Sequence, residues 1–183
     1  MAKGFSQKYG VDFEEMFEPT VGKGTIRTVM SYAAANGWEL EQADVDTAFL
    51  NTKVAEDIYV TVPEGIHLIN HANCVPTDEI LQQSKKTGRQ VVAKLQRALY
   101  GLKQAPKAWR QRLTAILEEL SYSPSQCDPG AYFKLEHYQV VCILLVYVDD
   151  ILIACPSTTT AQSFKDDLSK YVQIKDLQTC RHI

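Results

Sequence analysis

The sequence predicts an α+β domain in which helices pack on one antiparallel sheet. Three observations carry the prediction. Two strongly apolar runs, residues 140–148 and 151–155, are separated only by Asp149 and Asp150, as in a β-hairpin with both acids at its tip. Three other stretches place apolar residues on one face at the 3–4 spacing of a helix. The elements follow in the order helix, three strands, helix, hairpin, helix, and 183 residues suffice for one such domain to bury a core without staples.

Taken in order, residues 1–24 are polar and irregular. Thr25 then serves as N-cap to a helix whose apolar face is Ile26, Val29, Met30, Ala33 and Ala34, and Gly37 stops it. Residues 38–45 and 58–62 read as strands, the second closed by Pro63. Residues 64–90 form a loop insertion, because Gly65, Asn70, Asn73, Pro76, Ser84 and Gly88 break any period. A short strand follows at 91–95. Pro106 suits the first turn of a second helix. Its apolar stripe is Trp109, Leu113, Ile116, Leu117 and Leu120, which makes Trp109 a core residue before a stacking platform. Ser123-Pro124 ends this helix. Strands at 131–135, 140–148 and 151–155 precede a last helix at 158–171. One domain is expected to span 1–183.

Composition narrows the function classes. The longest apolar run, 140–148, is far short of the ~20 residues of a membrane helix. The five cysteines (74, 127, 142, 155 and 180) form no Cys-x-x-Cys pair, and an odd count argues against a disulfide framework, so a reduced, intracellular protein is expected. Cys142 and Cys155 lie in apolar strands and read as core. The net charge of −3 points to no polyanionic partner, but its distribution does. Between Ile80 and Leu117 stand nine of the 19 basic residues and none of the 22 acidic ones. Such a block is either a solvated face or a strip that tracks a nucleic-acid backbone, with Tyr100 interleaved for stacking and Gly101 permitting close backbone approach.

The acids are the most informative residues. Adjacent carboxylates at Asp149 and Asp150 repel, and their apolar flanks promise little water, so keeping both ionised is costly without a cation. A plain Asp-Asp surface turn is the competing reading. Asp44, at the end of the 38–45 strand, adds a third carboxylate if that strand lies beside the hairpin. Hard oxygen ligands of this kind suit two Mg²⁺ or Mn²⁺ ions, which complete their shells with water and phosphate oxygens.

Four segments carry a resemblance: Asp-Val-Asp-Thr-Ala-Phe-Leu-Asn (44–51), Leu-Tyr-Gly-Leu-Lys-Gln-Ala-Pro-Lys-Ala-Trp (99–109), Leu-Val-Tyr-Val-Asp-Asp-Ile-Leu-Ile (145–153), and Ala-Lys-Gly-Phe-Ser-Gln (2–7). In this order they resemble the reverse transcriptase of copia-type LTR retrotransposons. The resemblance implies a polymerase palm with part of the fingers, the thumb being absent, and RNA-directed DNA synthesis from dNTPs on a primed RNA or DNA template. It implies Asp44, Asp149 and Asp150 as the catalytic acids and metal ligands, with the Val45 carbonyl also facing a metal. It puts Phe49 against the sugar 2′ position, and Tyr100, Gly101 and Lys3 at the incoming nucleotide. Lys94, Arg97, Lys103, Lys107 and Tyr147 would meet nucleic acid. The implied partners are the rest of the polyprotein, integrase and RNase H, with no membrane. The implied location is cytoplasmic, in a virus-like particle for the full element, or nuclear.

Two departures matter. The family pattern has a further basic fingers strand ahead of residue 2, where Met1 stands. Lys175-Asp176-Leu177 is followed in the family by Gly-Glu and here by Gln178-Thr179, which removes a glycine from a turn. A truncated, inactive remnant that only binds nucleic acid is therefore the alternative, and a palm-like nucleotidyl cyclase a third reading. His67, His71 and Cys74 have zinc-compatible spacing but lack a fourth ligand.

Overall fold

A computed structural model describes residues 2–13, 19–54, 56–62, 82, 84, 86–88 and 90–179. Most of the expected 64–90 insertion, with His67, His71 and Cys74, lies outside the described residues. The chain is mixed α+β, an antiparallel sheet backed by helices. Eight described strands form two sheets, not one. The main sheet has the order β4 (Tyr122–Pro124), β5 (Ala131–Glu136), β6 (Gln139–Tyr147), β7 (Asp150–Cys155), β1 (Glu39–Val45), β8 (Ile174–Thr179), and all its pairings are antiparallel. The strands expected at 58–62 and 91–95 shorten to β2 (Tyr59–Thr61) and β3 (Val92–Lys94) and pair with each other as a separate ribbon.

Helices cover both faces of the main sheet. On one face lie α2 (Ala105–Glu119) and α3 (Thr158–Ser169); Trp109, Leu113, Ile116, Phe164 and Leu168 pack there on Ala43, Val45, Leu144, Ile151 and Ile153. On the other lies α1 (Lys23–Asn36), whose Val29 and Ala33 pack on Ile143, Leu145 and Ala154. This explains why β6 is apolar without alternation: residues 142–146 are buried on both sides. Each fully buried Leu or Ile stabilises the sandwich by about 1.5–3 kcal/mol. Cys142 and Cys155 are buried free thiols, as their apolar surroundings predict.

The helix ends correct the sequence reading. Thr25 lies inside α1, and Gly22 is the N-cap with no side-chain cap of its own. The missing cap comes from Asp128, which accepts from the Gly22 amide at 2.9 Å, from the Thr25 hydroxyl and, through its other oxygen, from the Gly130 amide at 2.9 Å. Burial alone would raise the Asp128 pKa, but these bonds hold it below the usual carboxylate range. Gly37 does end α1, in a left-handed conformation (φ 64°) with its amide on the Ala33 carbonyl. Helix α2 stops at Glu119, and Ser123-Pro124, expected to end it, belong to edge strand β4.

Strand β8 was not expected. Its burial pattern shows no alternation, and two features hold it in place. Lys165 of α3, 2% exposed, binds Glu41 of β1 and Asp176 of β8, both at 2.5 Å. A bulge near Gln178, itself left-handed at φ 62°, sets the β1–β8 register. Gln178 occupies the position where the family resemblance has glycine, and its backbone takes the conformation glycine favours.

Candidate active site

The ladders place Asp44. It lies opposite Asp150 on β7 and opposite Lys175 on β8. One residue on, the Val45 amide donates to the Asp149 carbonyl at 2.9 Å. Asp44, 105 residues before Asp149 in sequence, thus becomes a neighbour of the Asp149–Asp150 pair at one end of β1 and the β6–β7 hairpin. Alternation along β1 turns Glu41, Ala43 and Val45 toward α2 and α3, and turns Gln42 and Asp44 to the other face. Gln42 donates from Nε2 to Asp150 Oδ1 at 3.2 Å. Partial burial raises the Asp44 pKa, Asp149, Asp150 and Asp46 raise it further, and Lys175 opposes them.

The acids do not both sit in the turn. Tyr147 pairs with Asp150, so Val148 and Asp149 are the two turn residues and Asp150 opens β7. Val148 is left-handed (φ 60°) at the first turn position, where a two-residue hairpin takes glycine. A β-branched residue there costs about 1–3 kcal/mol and persists only where its surroundings over-determine it. One such surrounding is Trp109, 1% exposed, whose Nε1 donates to the Val148 carbonyl at 2.8 Å. Trp109 is a core residue, as its stripe predicts. The sequence carries no signal for its bond to a residue 39 positions away.

The residues expected at the incoming nucleotide also come together. A short 3₁₀ turn, Ala48–Asn51, follows β1 and buries Phe49 to 8% exposure. The Phe49 and Tyr100 rings lie 4.5 Å apart. The Tyr100 hydroxyl accepts from the Ala48 amide, and its pKa is raised by burial and then by the nearby Asp149. The Ala2 amide donates to the Tyr100 carbonyl at 2.8 Å, which brings Lys3 to the same segment. There Gly4 seats on Gly101: a Cβ at residue 4 would come within 1.7 Å of the Gly101 carbonyl oxygen. Exposed Lys3 lines a cleft of about 680 Å³ between this segment and the β2–β3 ribbon.

Several described residues of the basic block have internal partners. Lys94 pairs with Asp57 at 2.6 Å, Arg97 donates to the Leu50 carbonyl at 3.0 Å, and Lys103 lies 4.7 Å over the Phe13 ring. Lys107 is half-buried in the first turn of α2, and Arg110 donates to the carbonyls of Pro19 and Pro129. Tyr147, 55% exposed, stands opposite Asp150. Two functional candidates were missed. Gln42 could have been found by alternation, two residues before Asp44 on one face; buried Gln104, which joins Gln7 to the 99–106 segment, carried no such signal.

Three carboxylates with too little positive charge beside them are a donor set suited in kind to hard divalent cations. In this arrangement, among the described residues, no group of three His, Cys, Asp or Glu side chains converges closely enough to hold an ion.

The whole chain, residues 1–183, matches the family model described as reverse transcriptase (RNA-dependent DNA polymerase). The chain belongs to that family. It is 38% identical over its full length to the retrovirus-related Pol polyprotein from transposon TNT 1-94 of Nicotiana tabacum, and 34% identical over 96% of its length to that from transposon RE1 of Arabidopsis thaliana. It spans 12% and 11% of those two relatives. A telomerase structure from Candida albicans superposes on 90% of this chain and 31% of its own, with a TM-score of 0.44 and 9% identity.

Proposed function

We propose that this chain is the palm core of a copia-type RNA-directed DNA polymerase, which adds dNTPs to a primer 3′-hydroxyl. The observation that carries the reading is the register that sets Asp44 opposite Asp150 while the Val45 amide holds the Asp149 carbonyl. The 3′-oxygen attacks the α-phosphorus in line, the bond to the β-phosphate oxygen breaks, and pyrophosphate leaves. Asp44, Asp149 and Asp150, with the Val45 carbonyl, would hold two Mg²⁺ or Mn²⁺ ions, which supply positive charge to the triphosphate and make the hydroxyl a better nucleophile.

The chain's own residues position the reactants. Phe49, wedged against Tyr100, is a fixed wall beside the sugar and disfavours a 2′-hydroxyl by bulk. Tyr100 and Gly101 face the incoming base and its template partner. Lys3 approaches the phosphates from the adjoining segment. Basic side chains from 94 to 107 bear on the duplex backbone, a salt-sensitive and sequence-tolerant grip. The remaining polyprotein, with integrase and RNase H, and a virus-like particle as the setting, belong to the same proposal.

Primer extension on an RNA template with Mg²⁺ or Mn²⁺ tests it. Asp149→Asn is expected to lower extension by about a thousand-fold or more while leaving the fold intact by circular dichroism. Extension at the wild-type rate would overturn the assignment. A gel shift run beside it separates the alternative, because binding without extension by the wild-type chain would mark a protein that only holds nucleic acid.

A further inference from the structure

We propose that Trp109 is a positioning residue for Asp149, acting through the Val148 carbonyl; the inference rests on the polymerase reading above. Asp149 is flanked by two peptide planes, and each is held from a different element. The plane before it carries the Val148 carbonyl, which accepts from Trp109 Nε1 on α2 at 2.8 Å. The plane after it carries the Asp149 carbonyl, which accepts from the Val45 amide at the end of β1 at 2.9 Å. Fixing both planes fixes φ and ψ of Asp149, and with them the direction of its Cα–Cβ bond. The carboxylate is then aimed by α2 and β1 together, without relying on a bond to its own oxygens.

The left-handed Val148 explains why the clamp is needed. A β-branched residue at φ 60° leaves this conformation readily unless something opposes the change. The indole can oppose it because it is itself immobile: Trp109 is 1% exposed and packed with Leu113 and Val146 in the larger core. A tryptophan needed only for volume would have no reason to direct its N–H at the one strained residue of the hairpin. The same helix also meets the 3₁₀ turn that carries Phe49, through the Thr52 hydroxyl on the Ala108 carbonyl at 3.2 Å. Two successive residues of α2, Ala108 and Trp109, thus address the sugar side and the acid side of the site.

The test removes the N–H and keeps the shape. Position 109 is filled with β-(benzothien-3-yl)alanine, in which sulfur replaces the indole N–H, and separately with phenylalanine (Trp109→Phe). In the 183-residue chain, amide exchange at residues 149 and 150 is expected to speed up about tenfold, the ratio that an ordinary hydrogen bond sustains. The melting temperature of the benzothienyl variant stays within a few degrees of wild type. In primer extension kcat falls about tenfold while KM for dNTP stays within about threefold, because Asp149 is misaimed and nucleotide binding is not. Unchanged exchange at the turn would overturn the proposal, and so would faster exchange with an unchanged kcat. Should the wild-type chain extend no primer, the polymerase reading fails on its own. Mn²⁺ affinity by isothermal titration, expected about tenfold weaker in the variant, then takes the place of kcat, and an unchanged affinity overturns the clamp.

Discussion

Glu41 and Asp44 stand three residues apart on β1 and serve two acid clusters on opposite faces of one sheet. On the face that packs against α2 and α3, Glu41 and Asp176 share the buried Lys165. On the other, Asp44 meets Asp150 and Asp149 with Lys175 as the opposing charge. Strand β8 supplies both cations' neighbourhoods: its consecutive residues Lys175 and Asp176 turn to the two faces in turn. One cluster is closed by protein and ties α3, β1 and β8 together. The other is left short of positive charge, and burial together with its like charges raises the Asp44 pKa. The same strands thus hold one set of carboxylates neutralised by a buried lysine and one set that is not, and the difference lies in what supplies the counter-charge.

Three variants test this contrast, the largest effect first. Lys165→Met should cost about 3 kcal/mol, the low end for a broken buried pair because the Asp176 side chain is 41% exposed. That is a loss of roughly 6–12 °C in Tm; a loss below about 2 °C would show that the covered acids do not depend on Lys165. Asp44→Asn should act in the opposite sense. Its raised pKa means that the ionised form penalises the fold, so the variant gains stability at neutral pH, by about 1–3 °C for one cross-strand like-charge contact. The gain fades as pH falls through the Asp44 pKa, where the wild-type carboxyl takes up its proton. A Tm loss at neutral pH would break the contrast, since it would mean that the open cluster is already balanced. Gln178→Gly is the smallest: relief of the left-handed backbone, less the greater chain entropy of glycine, leaves a gain of about 0.5 kcal/mol, or 1–2 °C. It sharpens the picture by showing whether the bulge that presents Lys175 and Asp176 to opposite faces carries strain.

What could be read from the sequence follows from how strongly each part is buried. Helix α1, strands β6 and β7 and the interior stripe of α2 were legible because apolar residues fall at helical or continuous spacing. Asp44 could be named as an acid at a strand end, but no local property of 39–45 announces β7 as a neighbour. Strand β8 was hidden because Ile174 is its only partly buried residue. Strand β4 was hidden because it is three residues long and ends in proline. Lys165 carries no signal of burial in the sequence, and only the fold shows two carboxylates converging on it. Val148 argued against its own conformation: a β-branched residue is the last expected at a left-handed turn position. Asp128 likewise caps a helix more than a hundred residues earlier, which no N-cap pattern can reveal.

The sheet order has a consequence for synthesis on the ribosome. Strand β1 emerges early, yet it is flanked by β7 and β8, which follow it by more than a hundred residues. Gln42 must wait for a partner 108 positions later, and Glu41 for one 124 positions later. During that interval β1 has two unsatisfied edges, and an aborted translation product ending before Asp149 carries Asp44 without the two acids it meets. Nascent chains of this kind lean on whatever shields strand edges during elongation, until β7 and β8 pair with β1.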